Sequence, residues 1–249
     1  MCSRHAASSP MGKLLINCDL GENESDEQTR ILIELADAAN ICCGVHAGNP
    51  EKMEATLREA EKRDVMIGAH PGLANAGGRG GDRPSPDNFR VLLEQQLKDF
   101  IDCADRVVCT VSYVKLHGSL YHAVEYDEAL AEVYLSVLQS TGLDLGVFAL
   151  SGGKFQEKAK AVGLTVYEEV FADRGYRANG SLVPRADDGA LLNVESAIAR
   201  FRHWQRSGLM KTADGELITL QADTICIHSD SPGSEQLLKQ LQFLNGSLD

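Results

Sequence analysis

The amino-acid sequence predicts an α/β fold built on a parallel sheet, and two features of the chain support this prediction. Short apolar segments alternate with segments of helical periodicity along most of the sequence. The connections are short, as expected when each helix crosses back over the sheet to start the next parallel strand. Six or seven such units within 249 residues favour closure into a barrel. A doubly wound open sheet is the alternative, and periodicity alone does not separate the two.

Seven apolar segments are predicted to form the strands of this sheet. In chain order they are Lys13–Cys18, Ala39–Cys43, Val65–Gly68, Ser112–Leu116, Leu145–Leu150, Leu164–Phe171 and Thr224–Ile227. Most of them are followed directly by a polar side chain, so the sequence also indicates where their carboxyl ends lie.

Helices are predicted between the strands from periodicity and capping residues. Asn49-Pro50 supplies an N-cap and a first-turn proline to the helix 51–63, and Ser85-Pro86 does the same for a long helix that continues to Ala104. The remaining helices are expected to include Ile31 to Leu35, Glu128 to Gln139, Lys154 to Val162, Val194 to Gln205 and Leu237 to Leu244.

Three irregular segments complete the predicted organisation. Asn179-Gly180 and Asp214-Gly215 are turn signals that predict two inserted β-hairpins. The glycine-rich segment 72–82 is predicted to be either a mobile lid that orders over the substrate or a plain surface loop. Residues 1–12 are expected to be a disordered tail, and residues 13–249 a single β/α barrel domain.

Composition excludes several classes of function. The formal net charge is −12 and no run of Lys and Arg interrupts it, which argues against binding to nucleic acid or to an anionic membrane surface. No apolar stretch is long enough for a transmembrane helix, and the amino-terminal segment lacks the apolar region of a secretory signal. The seven cysteines form no C-x-x-C pair, so we expect reduced, mostly buried thiols in a cytoplasmic protein.

The candidate site consists of polar residues that lie at or near the ends of the predicted strands, because ligands of parallel α/β folds bind at the carboxyl ends of the strands. Four of the seven histidines lie at such positions. The candidate catalytic residues are Asp19, His46, His70, Lys115, His117, Asp173 and His228, and the candidate substrate-binding residues are Asn17, Glu22, Arg174 and Asp230.

These residue types suit hydrolysis. Histidine transfers protons near neutral pH, and a buried carboxylate can orient it or act as the base. Lys115 and Arg174 can hold an anionic group or stabilise a developing oxyanion, although Arg174 could instead form an ion pair with the adjacent Asp173.

A divalent metal ion is a second possibility, for which Asp19, His46 and His70 would be the natural ligands. Because the sequence contains no compact ligand motif of the H-x-x-x-H type, we expect acid–base chemistry without a tightly bound transition metal. Other motifs are missing too. Ser151-Gly-Gly-Lys154 is not a phosphate-binding P-loop, and no G-x-S-x-G elbow supports a serine nucleophile.

Seven segments that run in order along the chain resemble the LamB/YcsF family, whose members are also described as the 5-oxoprolinase A subunit. They are Ile16–Glu22, Ala39–Gly48, Ile67–Gly72, Val114–Tyr121, Glu169–Tyr176, Leu182–Arg185 and Asp223–Asp230. Leu116, His122 and Ser229 depart from the usual family pattern, which bears on the identity of the substrate more than on the acids and histidines at the strand ends.

The resemblance implies a (β/α)7-like barrel similar to the glycoside hydrolase/deacetylase fold. It also implies opening of the 5-oxoproline lactam to glutamate, with ATP used by carboxylase-like and allophanate-hydrolase-like partner subunits. The alternatives are a metal-dependent amide or sugar deacetylase and a non-catalytic scaffold subunit of a carboxylase-like complex.

Hypothetical roles for the candidate residues follow from the family resemblance. Asp19 and His70 would position or activate water, while His46 and His117 would hold the lactam or its phosphorylated form. Lys115 and Arg174 would meet the anionic group of the substrate. His228 and Asp230 would close the far wall of the site.

Overall fold

The computed structural model describes residues 14–74, 78–79, 83–231 and 233–246. The described chain contains nine strands: β1 (Leu15–Leu20), β2 (Ala38–Cys42), β3 (Met66–His70), β4 (Val111–Val114), β5 (Gly146–Leu150), β6 (Val166–Phe171), β7 (Leu209–Lys211), β8 (Leu217–Thr219) and β9 (Thr224–His228). The predicted tail, residues 1–12, and much of the predicted lid, residues 75–77 and 80–82, lie outside the described residues.

Seven parallel strands close into a barrel in the order β1-β2-β3-β4-β5-β6-β9, which confirms the predicted parallel barrel and excludes the open sheet. Closure is completed by β1, which pairs with β2 on one side and β9 on the other. The predicted strands agree with the observed ones to within a few residues at each end. All seven carboxyl ends therefore open on the same end of the barrel.

Eight helices surround the described barrel: α1 (Asp26–Glu34), α2 (Pro50–Lys62), α3 (Pro86–Val107), α4 (Gly118–Tyr126), α5 (Glu128–Ser140), α6 (Lys154–Ala161), α7 (Val194–Ser207) and α8 (Ser234–Gly246). Asn49 and Ser85 accept hydrogen bonds from the backbone of the first turns of α2 and α3, as predicted. Helix α4 was not predicted, because it starts at Gly118 without a side-chain cap and directly follows a strand end. In the described part of the chain, no helix is both long and apolar enough to cross a membrane.

The two predicted hairpins have different outcomes. Strands β7 and β8 pair antiparallel around Asp214-Gly215, which confirms the second hairpin. Around Asn179-Gly180 the chain also turns back on itself: the Arg177 N–H donates to the carbonyl of Ser181, and the Val183 N–H donates to the carbonyl of Gly175. This hairpin contains an isolated antiparallel bridge, Tyr176 to Leu182, and no extended strands, because the Gly175 N–H donates to the carbonyl of Ala190 instead.

The interior of the barrel is filled rather than hollow. The rings of Tyr113 and Phe148 stack with centroids 3.9 Å apart, beside Ala38. Gly68 makes room for them, since a Cβ at this position would lie 2.1 Å from the Tyr113 ring. The Tyr113 hydroxyl donates to Asn40 Oδ1 at 2.7 Å and so joins this apolar plug to the polar layer above it. A packed interior leaves the carboxyl end of the barrel as the place for a site.

Candidate active site

The structure brings the predicted catalytic residues together at the carboxyl end of the barrel, and all of them are buried. Each of them is between 1% and 8% exposed. The residues are Asp19, His46, His70, Lys115, His117, Asp173 and His228. They lie at the ends of β1, β3 and β9 or in the segments that follow β2, β4 and β6. Sequence position relative to the strand ends therefore located the cluster correctly.

Lys115 is the centre of a buried network of charges. Its ammonium lies 2.8 Å from Asp19 Oδ1 and 3.1 Å from Glu169 Oε1, and it also donates to Cys226 Sγ at 3.0 Å. Asn17 holds the network from below by donating to Glu169 Oε1 at 2.9 Å. Two carboxylates thus face one ammonium, and none of the three side chains is more than 3% exposed.

The pKa values of this network follow from its charges. Burial alone would lower the pKa of Lys115, but Asp19 and Glu169 hold that pKa well above its ordinary value. Burial alone would raise the pKa of Asp19, but His70 and Lys115 hold it well below the usual range. At neutral pH the site therefore contains a fixed ammonium and a fixed carboxylate, which are buried together because each stabilises the other.

The two oxygens of Asp19 have different surroundings. Oδ1 accepts hydrogen bonds from Asn40 Nδ2 and Lys115 Nζ, each at 2.8 Å. Oδ2 lies 3.4 Å from His70 Nε2 and 3.9 Å from His228 Nε2. Oδ1 is thus hydrogen-bonded within the network. Oδ2 faces two imidazoles at distances that leave room for a water molecule or a substrate atom between them.

His228 is oriented by a carboxylate. Its Nδ1 donates to Asp173 at 3.0 Å, and Asp173 also accepts from the hydroxyl of Ser231. Burial alone would lower the pKa of His228, but Asp173 and then Asp19 raise it above its ordinary value. The arrangement leaves Nε2 facing Asp19 as an acid or a base, the pattern of a carboxylate–histidine dyad. Sequence reasoning paired His228 with Asp230 instead.

Three imidazoles and one carboxylate form a second group beside Asp19. The rings of His46 and His117 stack with centroids 3.9 Å apart, and His70 meets both rings edge-on. Glu22 Oε1 lies 3.8 Å from His46 Nε2 and 3.6 Å from His117 Nδ1. We call these four residues, Glu22, His46, His70 and His117, the histidine–glutamate cluster. Burial lowers the pKa of His46, which favours its neutral form.

A cavity of about 460 Å³ opens above these groups, and arginines surround its mouth. They are Arg79, Arg83, Arg174, Arg177 and Arg185. Asp230 binds two of them, since its carboxylate pairs with Arg79 and with Arg185, the latter at 3.0 Å. In a chain of net charge −12 this positive rim would attract an anionic ligand locally.

The four predicted substrate-binding residues are placed at different depths. Asn17 is fully buried below Lys115, and Glu22 belongs to the histidine–glutamate cluster. Arg174 lines the cavity, but its guanidinium donates to the carbonyls of Val183 and Ala190, so much of it anchors the loop after β6. Asp230 lies at the mouth with its two arginines.

Several site residues were missed from the sequence. Glu169, Asn40 and Cys226 contact the Lys115–Asp19 network. Glu169 carried a usable signal: it follows Glu168 inside strand β6, and because side chains alternate along a strand, one of two adjacent acidic residues must point into the barrel and need a buried partner there. His122 lines the cavity, and burial lowers its pKa to about 4.

Comparison with known proteins shows which family the chain resembles. The model of the LamB/YcsF family matches residues 14–244. The chain is 36% identical to the 5-oxoprolinase A subunit of Limosilactobacillus fermentum, over 93% of this chain and 95% of that protein. It is 35% identical to the 5-oxoprolinase A subunit of Bordetella pertussis, over 87% and 88%.

Among solved structures, a lactam utilization protein from Thermus thermophilus superposes with a TM-score of 0.82 and 27% identity, over 92% of this chain and 94% of that one. A putative cellobiose-phosphate cleavage protein from Enterococcus faecalis superposes with a TM-score of 0.55 at 12% identity, covering 93% and 91%, which shows a similar fold only.

Proposed function

The chain belongs to the LamB/YcsF family, and from this premise we propose that it opens the lactam ring of 5-oxoproline as one subunit of an ATP-dependent 5-oxoprolinase. The observation that carries the proposal is the position of His228, which Asp173 orients toward the open oxygen of Asp19 next to the buried Lys115 ammonium. These are the groups that hydrolysis of an amide requires.

The attacking water is placed at Asp19 Oδ2. This oxygen is a carboxylate acceptor at neutral pH, because the pKa of Asp19 is held low by His70 and Lys115 against the effect of burial. Water adds to the carbonyl carbon of the lactam and gives up a proton to Asp19 Oδ2. The positive charge of Lys115 stabilises the negative charge that develops on the carbonyl oxygen.

His228 supplies the proton that ring opening needs. When the C–N bond of the lactam breaks, the nitrogen leaves as an amine and must be protonated. The Asp173 carboxylate favours the protonated form of His228, whose Nε2 lies 3.9 Å from Asp19 Oδ2. We therefore assign proton donation to His228 rather than to His70, whose Nδ1 donates to the carbonyl of Lys115.

Binding of the substrate is assigned to the mouth of the cavity. The product of ring opening, glutamate, carries one more carboxylate than 5-oxoproline, and both compounds are anions at neutral pH. Arg79, Arg177 and Arg185 place positive charge where such an anion would enter. His46 and His117 lie deeper and would contact the lactam or its phosphorylated form.

ATP use is assigned to partner subunits of the carboxylase-like and allophanate-hydrolase-like types. An unactivated amide is a poor electrophile, and transfer of a phosphoryl group from ATP to its oxygen would make its carbon easier to attack. Breaking the C–N bond would then leave an acyl phosphate, which a second water hydrolyses to glutamate and inorganic phosphate. This chain has no P-loop motif with which to do so itself. The relatives are named as one lettered subunit of 5-oxoprolinase, which supports a division of labour among several chains.

Replacing Asp19 by Asn tests the proposal, with ATP-dependent conversion of 5-oxoproline to glutamate as the readout in the assembled complex. Loss of one positioned acid–base group should reduce the rate by about 10²–10⁴-fold. The chain alone should be inactive on 5-oxoproline. Asp144→Asn is the matched control, because Asp144 is exposed and precedes β5 at the opposite end of the barrel.

Co-purification of the variant with the partner subunits shows whether assembly is intact. Near-full activity of a complex that contains Asp19→Asn would contradict the proposed site and would favour the scaffold alternative. Ring opening by the isolated chain without ATP would contradict the assignment of ATP use to partners.

A further inference from the structure

We propose that the histidine–glutamate cluster binds one divalent transition metal ion of the zinc type. Glu22, His46, His70 and His117 lie at or just after the ends of four consecutive strands, β1 to β4. One ligand atom from each lies within 4.8 Å of the others. The inference concerns the same cavity as the proposed function but does not depend on the identity of the substrate.

The distances from Glu22 to two of the imidazoles fit coordination of an ion better than hydrogen bonding. Bonds of 2.0–2.2 Å to a tetrahedral zinc ion place neighbouring donor atoms roughly 3.4 Å apart. Glu22 Oε1 lies 3.8 Å from His46 Nε2 and 3.6 Å from His117 Nδ1. Both distances are too long for hydrogen bonds. The rings of His46 and His117, which are stacked here, would have to turn so that both nitrogens face one ion.

Glu22 also has an oxygen without a hydrogen-bond partner. The Glu22 side chain is only 6% exposed, and its Oε1 accepts no hydrogen bond from the residues that the structure describes. A buried carboxylate oxygen in this condition is costly unless a cation or a donor meets it. The atom faces two imidazole nitrogens, so a shared cation would stabilise all three groups.

His70 is held in the form that a metal ligand needs. Its Nδ1 lies 2.8 Å from the carbonyl of Lys115 and must be the donor in that hydrogen bond. In neutral His70 the lone pair is therefore on Nε2, which lies 2.9 Å from His117 Nδ1 inside the cluster. Histidines that bind metals usually donate their other N–H to a carbonyl or carboxylate in this way. Metal binding would displace the proton shared by His70 and His117.

Two glycines keep the rings in place. A Cβ at Gly72 would lie 2.5 Å from His46 Nδ1, and a Cβ at Gly78 would lie 2.6 Å from His117 Cδ2. The backbone of the segment after β3 therefore packs directly against both imidazoles. A residue with a Cβ at either position would therefore displace a ring from the cluster.

The donor set indicates the kind of metal. Three imidazoles and one carboxylate suit Zn²⁺ or Co²⁺ better than Mg²⁺ or Ca²⁺, which prefer oxygen ligands. Cys42 Sγ, 3.1 Å from His46 Nε2, adds a soft donor beside the cluster. The neighbouring group of Asp19, Cys226 and His228 is not a competing site, because the Lys115 ammonium lies against Asp19 and Cys226.

The sequence led us to expect chemistry without a tightly bound transition metal, because it contains no compact ligand motif. A compact motif is not needed, because the fold brings candidate ligands from the ends of four strands together. A bound ion would supply a Lewis acid next to Asp19, whose Oδ2 lies 3.4 Å from His70 Nε2.

The test measures metal binding by the full chain and needs no substrate. Protein treated with a chelator is dialysed against Zn²⁺ and analysed for metal content, and Co²⁺ is titrated while the visible absorption of the cobalt ion is recorded. We expect one equivalent of Zn²⁺ and a cobalt spectrum of low coordination number. Glu22→Gln and His46→Gln should weaken binding by more than the ~10–100-fold that loss of an outer-shell partner costs.

His203→Gln is the matched control, because His203 is exposed on α7, outside the histidine–glutamate cluster. Glu22→Gln keeps the size of the side chain, so its circular dichroism should match the parent even if a histidine variant fails to fold. Wild-type protein that binds less than one equivalent, or a folded Glu22→Gln variant that binds zinc as tightly as the parent, would overturn the inference. Neither outcome bears on ring opening, which the Asp19→Asn assay tests separately.

Discussion

At the scale of single residues, the candidate site consists of ionised groups that stabilise one another in a buried space. Lys115 would be costly to bury alone, and so would Asp19 or Glu169. Both carboxylates lie within 3.1 Å of the Lys115 ammonium, and the ammonium and the Asp19 carboxylate each hold the pKa of the other toward its charged form. The same holds for His228, whose charged form depends on Asp173 and, further away, on Asp19.

Replacing Asp173 by Asn should lower the pKa of His228, because burial lowers this pKa and the Asp173 carboxylate, the main group that raises it, is then missing. The weaker effects remain: Asp19 still raises the pKa and Lys115 still lowers it. The measurement is the pH titration of the His228 ring by NMR in histidine-labelled protein. The exposed Asp187, which pairs with Arg177, offers Asp187→Asn as a control that leaves this titration unchanged. An unchanged His228 titration in Asp173→Asn would contradict the dyad.

The same pair predicts how stability depends on pH. The folded-state pKa of His228 is raised, so its contribution is fully present below 6.5, the ordinary pKa of histidine, and is lost as pH rises through the raised value. Urea unfolding should therefore show a larger stability difference between wild type and Asp173→Asn below pH 6.5 than above the folded-state pKa. A difference that grows with pH through this window would contradict the assignment.

At the scale of elements, helix α3 begins favourably and ends with strain. Ser85 caps its first turn, and Pro86 occupies a position where no N–H is needed. At the other end Val108 adopts φ 63° and ψ 47°, a left-handed conformation that a β-branched residue disfavours. Val108 is 82% exposed, so its side chain gains little from packing in return.

Val108→Gly should therefore stabilise the protein by about 1 kcal/mol, because glycine adopts this conformation without steric cost. Val91→Gly is the matched control on the same helix, where glycine should destabilise by about 0.5 kcal/mol through helix propensity. Val91 is also exposed, at 65%. Urea unfolding of both variants measures the change in the free energy of unfolding, which should rise for Val108→Gly and fall for Val91→Gly. Destabilisation by Val108→Gly would show that glycine does not relieve the strain there.

At the scale of the whole molecule, the two ends of the described chain meet where the barrel closes. Strand β1 pairs with β9, and the side chain of Asn245 in α8 bonds both backbone groups of Leu14. It accepts from the Leu14 N–H at 3.1 Å and donates to the Leu14 carbonyl at 2.7 Å. Asn245 and Leu14 are both buried, so water does not readily replace these bonds.

Asn245→Ala should cost about 1–3 kcal/mol, since it leaves two buried backbone groups without partners. The free energy of urea unfolding measures this cost. Asn88→Ala is the control, because Asn88 is exposed on α3. Equal stability of the two variants would show that closure does not depend on this contact.

The sequence by itself determined the order of strands and helices, and it located the carboxyl ends of the strands. These features are local: periodicity and caps depend on neighbouring residues, and the polar residues at strand ends are visible without knowing which strands are adjacent. For the same reason Asp19, His70, Lys115 and His228 could be predicted from the sequence as candidate site residues. Helix α4 escaped because it begins without a side-chain cap.

Only the tertiary structure decided which of these residues act on one another. Lys115 lies 96 residues from Asp19, and Asp173 lies 55 residues from His228, so no local pattern shows that they meet. The sequence therefore grouped His228 with its neighbour Asp230 as one wall of the site; it did not reveal that Asp173 contacts His228, and it missed Glu169. Closure of the barrel brings β1 against β9 and sets all of these contacts at once, because strand ends that are far apart in sequence must share one small space.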